Sequence, residues 1–190
     1  MKNILLIFSM LYLNFAFTQS YNLKMQSESL NWTGKAAFDT YSLTGTIDAE
    51  KGSLIKKGDT LVQMTIIINM KSLNHENREL KNHLRGKDFF EVKKYSKAVF
   101  ILTQPSIIKN GIASLTGNFT IKNNTKTETF AANVLVQEEG SITIAPKLNI
   151  NRTNYGVEYN SPTIFESIKK NAIADDFELE GTLIFNTSNL

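Results

Sequence analysis

Leu61-Val62-Gln63-Met64-Thr65-Ile66-Ile67-Ile68-Asn69-Met70 sets the fold class. Val62, Met64, Ile66, Ile68 and Met70 fall on one face at a spacing of two, and Leu61, Gln63, Thr65, Ile67 and Asn69 on the other. A half-buried strand produces this alternation, because successive side chains leave opposite faces of the pleat. Near the far end of the chain, Phe177, Leu179, Gly181, Leu183 and Phe185 oppose Glu178, Glu180, Thr182, Ile184 and Asn186 in the same way. Gly181 inside that run predicts a bulge or a tight bend.

Working outward, further strands are expected at roughly 22–34, 41–49, 97–104, 111–122, 127–137 and 141–152. Turn signals separate several of them: Glu50-Lys51-Gly52, Lys57-Gly58-Asp59, Lys109-Asn110-Gly111, Lys122-Asn123-Asn124 and Glu138-Glu139-Gly140. Asn110-Gly111 is the strongest hairpin signal in the chain. Short antiparallel links at this spacing predict a meander, and eight such strands can close into a barrel. A two-sheet sandwich shares the local signature. Two segments depart from it. From Asn74 to Arg85 the β-branched residues vanish and Leu80 and Leu84 fall four apart, which predicts a helix stopped at Gly86. A second short helix is expected from Pro162 to Lys170, entered through Ser161.

The first residues address the compartment. Lys2 precedes an apolar run from Ile4 to Phe17, which is shorter than the roughly 20 residues that span a bilayer. Small residues at Ala16 and Thr18 precede Gln19, so residues 1–18 read as a cleaved signal peptide and 19–190 as one domain, periplasmic or secreted. No second apolar run approaches spanning length, so no stable membrane span is expected after cleavage. The chain has no cysteine, which excludes disulfides, thiol nucleophiles and a lipoprotein anchor. The formal charge of +3 falls by one when Lys2 is removed, and the cations are scattered among Asp and Glu. A phosphate-binding stripe is absent, which argues against nucleic acid as a partner.

Chemistry-bearing residues are sparse. His75 and His83 lie eight apart, about 80° out of alignment on a helix of ~100° per residue, so they do not make a metal pair. No GxSxG elbow, phosphate-binding loop or HExxH occurs. Asp175-Asp176 at a strand start would point to opposite faces, poor geometry for shared acid–base work. Neither a catalytic residue, a metal site nor a cofactor is expected. What remains is apolar surface. Val99 and Ile101 back Ala98, Phe100 and Leu102, and Leu135 backs Val134 and Val136, so both faces of these strands are apolar. A barrel of eight strands has an interior that side chains fill or that holds one small ligand.

At residues 73–100 the sequence becomes distinctive. Leu80-Lys81-Asn82-His83-Leu84-Arg85-Gly86-Lys87-Asp88-Phe89-Phe90-Glu91-Val92, followed by Lys94-Tyr95-Ser96-Lys97-Ala98-Val99-Phe100, resembles the YceI-like family. Ile68–Leu73, Leu115–Lys122 and Asn151-Arg152-Thr153-Asn154-Tyr155-Gly156-Val157 extend the likeness in the same order across the mature chain. The chain departs from the family pattern at three places: Ser96 in place of a Pro, Asn123-Asn124 in place of Gly-Val, and Leu43 where many relatives carry a His.

The resemblance implies an all-β fold, an eight-stranded antiparallel lipocalin-like β-barrel with one or two short helices. It implies a non-catalytic binding protein holding a polyisoprenoid or other long-chain lipid, as carrier or reservoir. Phe89 and Phe90 carry over as pocket-shaping residues, through ligand contact or through helix-to-barrel packing. Phe100, Ile67 and Arg152 are the further ligand-binding candidates, with Arg152 or Lys87 facing a head group. The alternative is a secreted interaction module whose filled barrel binds a protein or glycan through its loops. The sequence is compatible with a monomer or a homodimer.

Overall fold

The computed structural model describes residues 18–23, 28–165, 167 and 171–187. Eleven strand segments follow one another: β1 (Thr18–Leu23), β2 (Ser29–Ala36), β3 (Ser42–Lys57), β4 (Thr60–Asn74), β5 (Lys97–Leu102), β6 (Ser106–Ile107), β7 (Ile112–Ile121), β8 (Asn124–Val136), β9 (Ile142–Asn151), β10 (Ile173–Glu180) and β11 (Leu183–Thr187). One helix, α1 (Arg78–Arg85), joins β4 to β5, and a 3₁₀ turn, Arg152–Tyr155, follows β9. All pairings are antiparallel. The ladder runs β2-β3-β4-β5-β7-β8-β9-β10 and returns to β2, where Leu179 faces Trp32. β1 and β11 continue β2 and β10 and pair with each other, while β6 continues β5 along β4. The result is a closed barrel of eight staves, as expected, and the closed ring excludes a sandwich.

The turns divide the molecule into two ends. Gly58, Asn110-Gly111 and Glu138–Gly140 make tight turns at one end. Asn110 and Gly111 both have positive φ (51° and 75°), the backbone that a two-residue hairpin needs, and Lys109 and Ile112 exchange both hydrogen bonds across them. The other end carries the β2–β3 hairpin, the α1 connection, the Lys122-Asn123 turn and the long segment between β9 and β10. Among the described residues no helix is long and apolar enough to cross a membrane.

Several expectations are corrected, and most of the corrections concern parity. Glu50-Lys51-Gly52 is not a turn: β3 runs through it for 16 residues. Ala49 faces Ile68 and Lys51 faces Ile67, so Glu50 is an extra, unpaired residue. The bulge moves the inward set from odd positions (Ile47) to even ones (Gly52, Leu54). A second irregularity lies in β4, where Ile55 faces Gln63 and Lys56 faces Leu61. Leu61, placed by simple alternation on the outer face, is therefore fully buried. Gly181 interrupts the C-terminal run, splitting it into β10 and β11. A Cβ there would come within 2.9 Å of Leu30 Cδ2 and 3.1 Å of Leu30 Cα, so any larger residue would crowd the start of β2.

The helix starts later than expected, because β4 continues to Asn74. Asn77 caps it, accepting from the backbone N–H groups of Glu79 and Leu80. Gly86 ends it in an extended conformation rather than a left-handed one. The second helix expected from Pro162 to Lys170 is, among the described residues, a single turn in which Phe165 N–H donates to Ser161 O. Ile173 N–H donates to Asn160 O, so the segment closes on itself as a compact loop. The leader expected over residues 1–18 lies outside the described residues except for Thr18, the first residue of β1.

Candidate functional site

The barrel is filled at one end and hollow at the other. Around the tight turns, Leu54, Leu61, Leu115, Ile142, Ile144, Leu183 and Phe185 are each at most 2% exposed, and none of them lines the cavity described next. An aromatic layer caps this packed half. Phe119 meets Phe100 and Tyr155 edge-on at 6.3 and 6.2 Å, and Phe100 meets Phe130 at 5.2 Å. Above Phe119 lies a cavity of about 230 Å³, reaching up to α1 and the β9–β10 connection.

Each wall has its own origin. Trp32, Leu43, Ile47, Ile68, Met70 and Leu73 come from β2, β3 and β4. Trp32 lies across from Gly45 in the ladder, and its ring occupies the space a Cβ would need, with contacts of 2.5 Å. Its indole N–H donates to Asn74 O at 3.2 Å, fixing the ring. The roof is α1, which buries no side chain fully but turns Leu80 and Leu84 to the cavity. Phe89 and Phe90 complete it. Phe89 meets His83 edge-on and Tyr159 at a tilt, and its carbonyl accepts from Lys122 Nζ at 2.8 Å. Phe90 packs edge-on to Phe177 at 6.3 Å.

The candidate residues are thus unequally placed. Phe89, Phe90 and Arg152 line the cavity. Phe100 lies one layer beneath the floor. Ile67 faces outward, paired with Val99 on the barrel's exterior, and its neighbours Ile66 and Ile68 point in. Lys87 is exposed and does not line the cavity. Trp32 and Ile68 were not expected at the site, and Leu43 was noted only as a departure from the family pattern. Strict alternation from Met64 and Met70 marks Ile68, and the single Trp facing a strand glycine marks the other wall.

Charge at the cavity is confined to Lys35, Arg152 and Asp176. Arg152 is 4% exposed and spends its guanidinium on the backbone: Nε donates to Ala174 O (3.0 Å), Nη1 to Val157 O (2.7 Å) and Nη2 to Ile173 O (2.9 Å). Here β10 bulges, three residues standing opposite Lys35 between the Ile173–Ala36 and Phe177–Gly34 pairs. Arg152 satisfies two carbonyls that the bulge detaches from the ladder. Asp175, 3.6 Å from Nη2, supplies the counter-charge, and its other oxygen accepts from Thr163 Oγ1. Burial pushes the Arg152 pKa down, and Asp175 opposes that shift. Asp176 points the other way, towards Asn149. Lys35 donates to Glu178 at 2.5 Å.

The histidines stand apart. His75 Nδ1 accepts from Asn77 N–H, and His83 sits between Phe89 and Tyr159, 3.4 Å from Asp88. Among the described residues no group of three His, Asp or Glu comes together to hold a metal ion.

Tyr155, fully buried beside the floor, donates its hydroxyl to Glu128 Oε1 at 2.6 Å. Burial, then the Glu128 carboxylate, raises its pKa well above the usual value near 10. The unfolded chain therefore loses this proton first, and stability falls as pH rises above 10, by up to ~1.4 kcal/mol per pH unit. Tyr155→Phe is expected to cost about 1–2 kcal/mol at pH 7 and to remove that share of the alkaline slope. Urea midpoints measured from pH 7 to 11 test both.

Lys35, Tyr41 and Asp176 are the exposed lining residues, so the cavity meets solvent between the β2–β3 hairpin and the start of β10. Comparison with known proteins agrees with this architecture. The model of the family described as the YceI-like domain matches residues 21–185. A UPF0312 protein of Shewanella sp. strain ANA-3 is 31% identical over 70 residues, 37% of each chain. Protein YceI of Salmonella newport is 32% identical over 117 residues, 61% of this chain and 56% of that one. The chain thus spans between about a third and just over half the length of these two relatives. A polyisoprenoid-binding domain from Saccharophagus degradans, implicated in plant cell wall breakdown, superposes with a TM-score of 0.64 at 15% identity, covering 90% of this chain and 99% of that one. At that identity the likeness is one of fold.

Proposed function

The chain belongs to the YceI-like domain family, and from that premise we propose that it is a non-catalytic binding protein that holds a polyisoprenoid or similar amphiphilic lipid in the hollow half of its barrel. The observation that carries the reading is the lining. Carbon surface makes up the cavity walls, and the one buried charge, Arg152, is already engaged by three carbonyls. A barrel filled throughout, the alternative reading, leaves this space unexplained. The likeness to a polyisoprenoid-binding domain supports the ligand class, and the apolar leader supports export to the periplasm or beyond. The head group would rest at the mouth, near Lys35, Tyr41 and Asp176. Leu43 puts an alkyl group in the wall, so polar selection inside is weak.

The volume sets a scale. A dry cavity of about 150 Å³ holds benzene, roughly 25 Å³ per carbon, so this space takes about nine carbons. At ~0.8 kcal/mol per CH₂ that is about 7 kcal/mol against water, a micromolar contribution before ordering costs. Against a membrane the same transfer is nearly neutral, which suits a carrier or reservoir. Solvent extraction of purified protein followed by mass spectrometry is expected to release an isoprenoid or related lipid. In a series of prenyl and alkyl alcohols, affinity is expected to rise about fourfold per CH₂ up to about nine carbons and then flatten. No co-purifying lipid together with no uptake of any alcohol would refute the reading.

A further inference from the structure

We propose that the cavity mouth docks on a lipid bilayer through an apolar rim formed by Phe38 and Tyr41 on the β2–β3 hairpin and by Ile164 and Phe165 on the β9–β10 connection. The inference rests on the lipid-binding reading of the cavity. These four side chains are 69%, 60%, 46% and 45% exposed, a costly arrangement for rings and branched alkyl groups with no partner. The two connections carrying them form one continuous rim: Ala37 N–H donates to Ala172 O at 2.9 Å, and Ile173 N–H to Asn160 O at 2.9 Å. The hairpin and the end of the β9–β10 connection border the opening, since Ala36, Tyr41, Ala172 and Ile173 line the cavity, and Phe165 lies farther out, beside Tyr159 and Asn160.

Volume points to a membrane as occupant. The cavity encloses about nine carbons, on the scale of ~25 Å³ each, so a longer isoprenoid leaves most of its chain outside the mouth. In water that remainder would lose the hydrophobic stabilisation of burial. With the rim seated at the acyl boundary it stays in hydrocarbon, while the inserted end occupies the barrel. Phe and Tyr on projecting loop tips suit that interface, where an apolar body meets hydrocarbon and a polar edge meets head groups. Charge is not what attracts it. The hairpin tip carries one acid, Asp39, Phe165 shares a shallow pocket with Asp88 and Glu158, and the neighbouring Lys35 is paired with Glu178. Of the other exposed large apolar residues among those described, Tyr159 packs against His83 and Phe89, and Ile101, Ile107, Ile112, Leu135 and Val136 lie on the outer wall of β5–β8, on a flat strand surface unlike this rim.

The experiment uses the full chain and phosphatidylcholine vesicles carrying geranylgeraniol. Wild-type protein is expected to co-sediment with neutral vesicles, with little dependence on salt, and to extract the alcohol from them. Phe38→Ser combined with Phe165→Ser is expected to slow extraction by at least roughly tenfold, with geranylgeraniol dispersed in dilute detergent still taken up to the same extent. Phe38→Trp with Phe165→Trp should retain vesicle extraction, which a merely structural role for the pair would not predict. Unchanged extraction by the serine variant, co-sedimentation only with anionic vesicles, or loss of uptake from both sources would overturn the proposal. Failure of the cavity reading looks different: wild-type protein would then take no alcohol from detergent, whatever its behaviour with vesicles.

Discussion

Replacing Ala98 with tryptophan is expected to abolish lipid uptake while leaving barrel stability nearly unchanged, and Ala113→Trp to lower stability while the molecules that stay folded still take up lipid. Both alanines are 1% exposed and point inward, so composition and burial do not separate them. Their surroundings do. Ala98 lines the hollow half, where an indole has space to enter and then occupies the ligand's place. Ala113 faces Ala132 across the β7–β8 ladder, in the half where Leu115, Ile142 and Ile144 are wholly buried and which the cavity does not reach. An interior packed to crystal density has no slack for an added ring. Overpacking there is expected to cost about 3 kcal/mol, the upper part of the usual range. Guanidinium midpoints at unchanged m-value, read beside geranylgeraniol uptake, test the pair. Equal destabilisation of both variants would mean that the cavity is closed in solution.

The class of the fold was legible because period-two alternation is a local property. Leu61–Met70 and the Leu115–Lys122 region need no distant contact to declare themselves strands. Closure was less accessible, since a sandwich writes the same local pattern, and it was the resemblance around Leu80–Phe100 that favoured a barrel. Parity was the weak point. A bulge adds one residue and exchanges the two faces, and at Glu50-Lys51-Gly52 it carries the composition of a turn. The same ambiguity explains Ile67. In a run of three isoleucines only the register decides which one faces inward, and in β4 Ile66 and Ile68 do.

The site was legible as chemistry rather than as geometry. Phe89 and Phe90 sit at the cavity, and Phe100 supports its floor from below. That the barrel is both filled and hollow could not be read from either strand face. The difference lies in which layers meet across the ring, which depends on stagger. Connection length offers a partial signal. The two longest connections between described strands, residues 75–96 and 152–172, emerge at the hollow end, where short turns would leave the cavity without a roof.

Arg152 is the residue whose role changed most between sequence and structure, and Arg152→Met is expected to be the most destabilising single substitution at the site. As a candidate for a lipid head group it would be half free. Instead its guanidinium holds the Ile173, Ala174 and Val157 carbonyls, and its removal strands them beside the Asp175 carboxylate. Asp175 Oδ1 makes no hydrogen bond even in the intact protein, so the Arg152 charge is what compensates it. Breaking a buried pair by deleting one partner costs about 3–5 kcal/mol, much of it the orphaned charge. Arg152→Lys should recover little, because a compact ammonium cannot reach three carbonyls held by a planar fork. Asp175→Asn added to Arg152→Met should recover part of the loss by removing the unpaired charge, a coupling that a double-mutant cycle reads directly. The same bulge borders the mouth, so the methionine variant is expected to lose lipid uptake at denaturant concentrations where its strands remain folded. Full additivity of the two substitutions would show that Arg152 and Asp175 act independently, and the β10 bulge would then not be held together by their pairing.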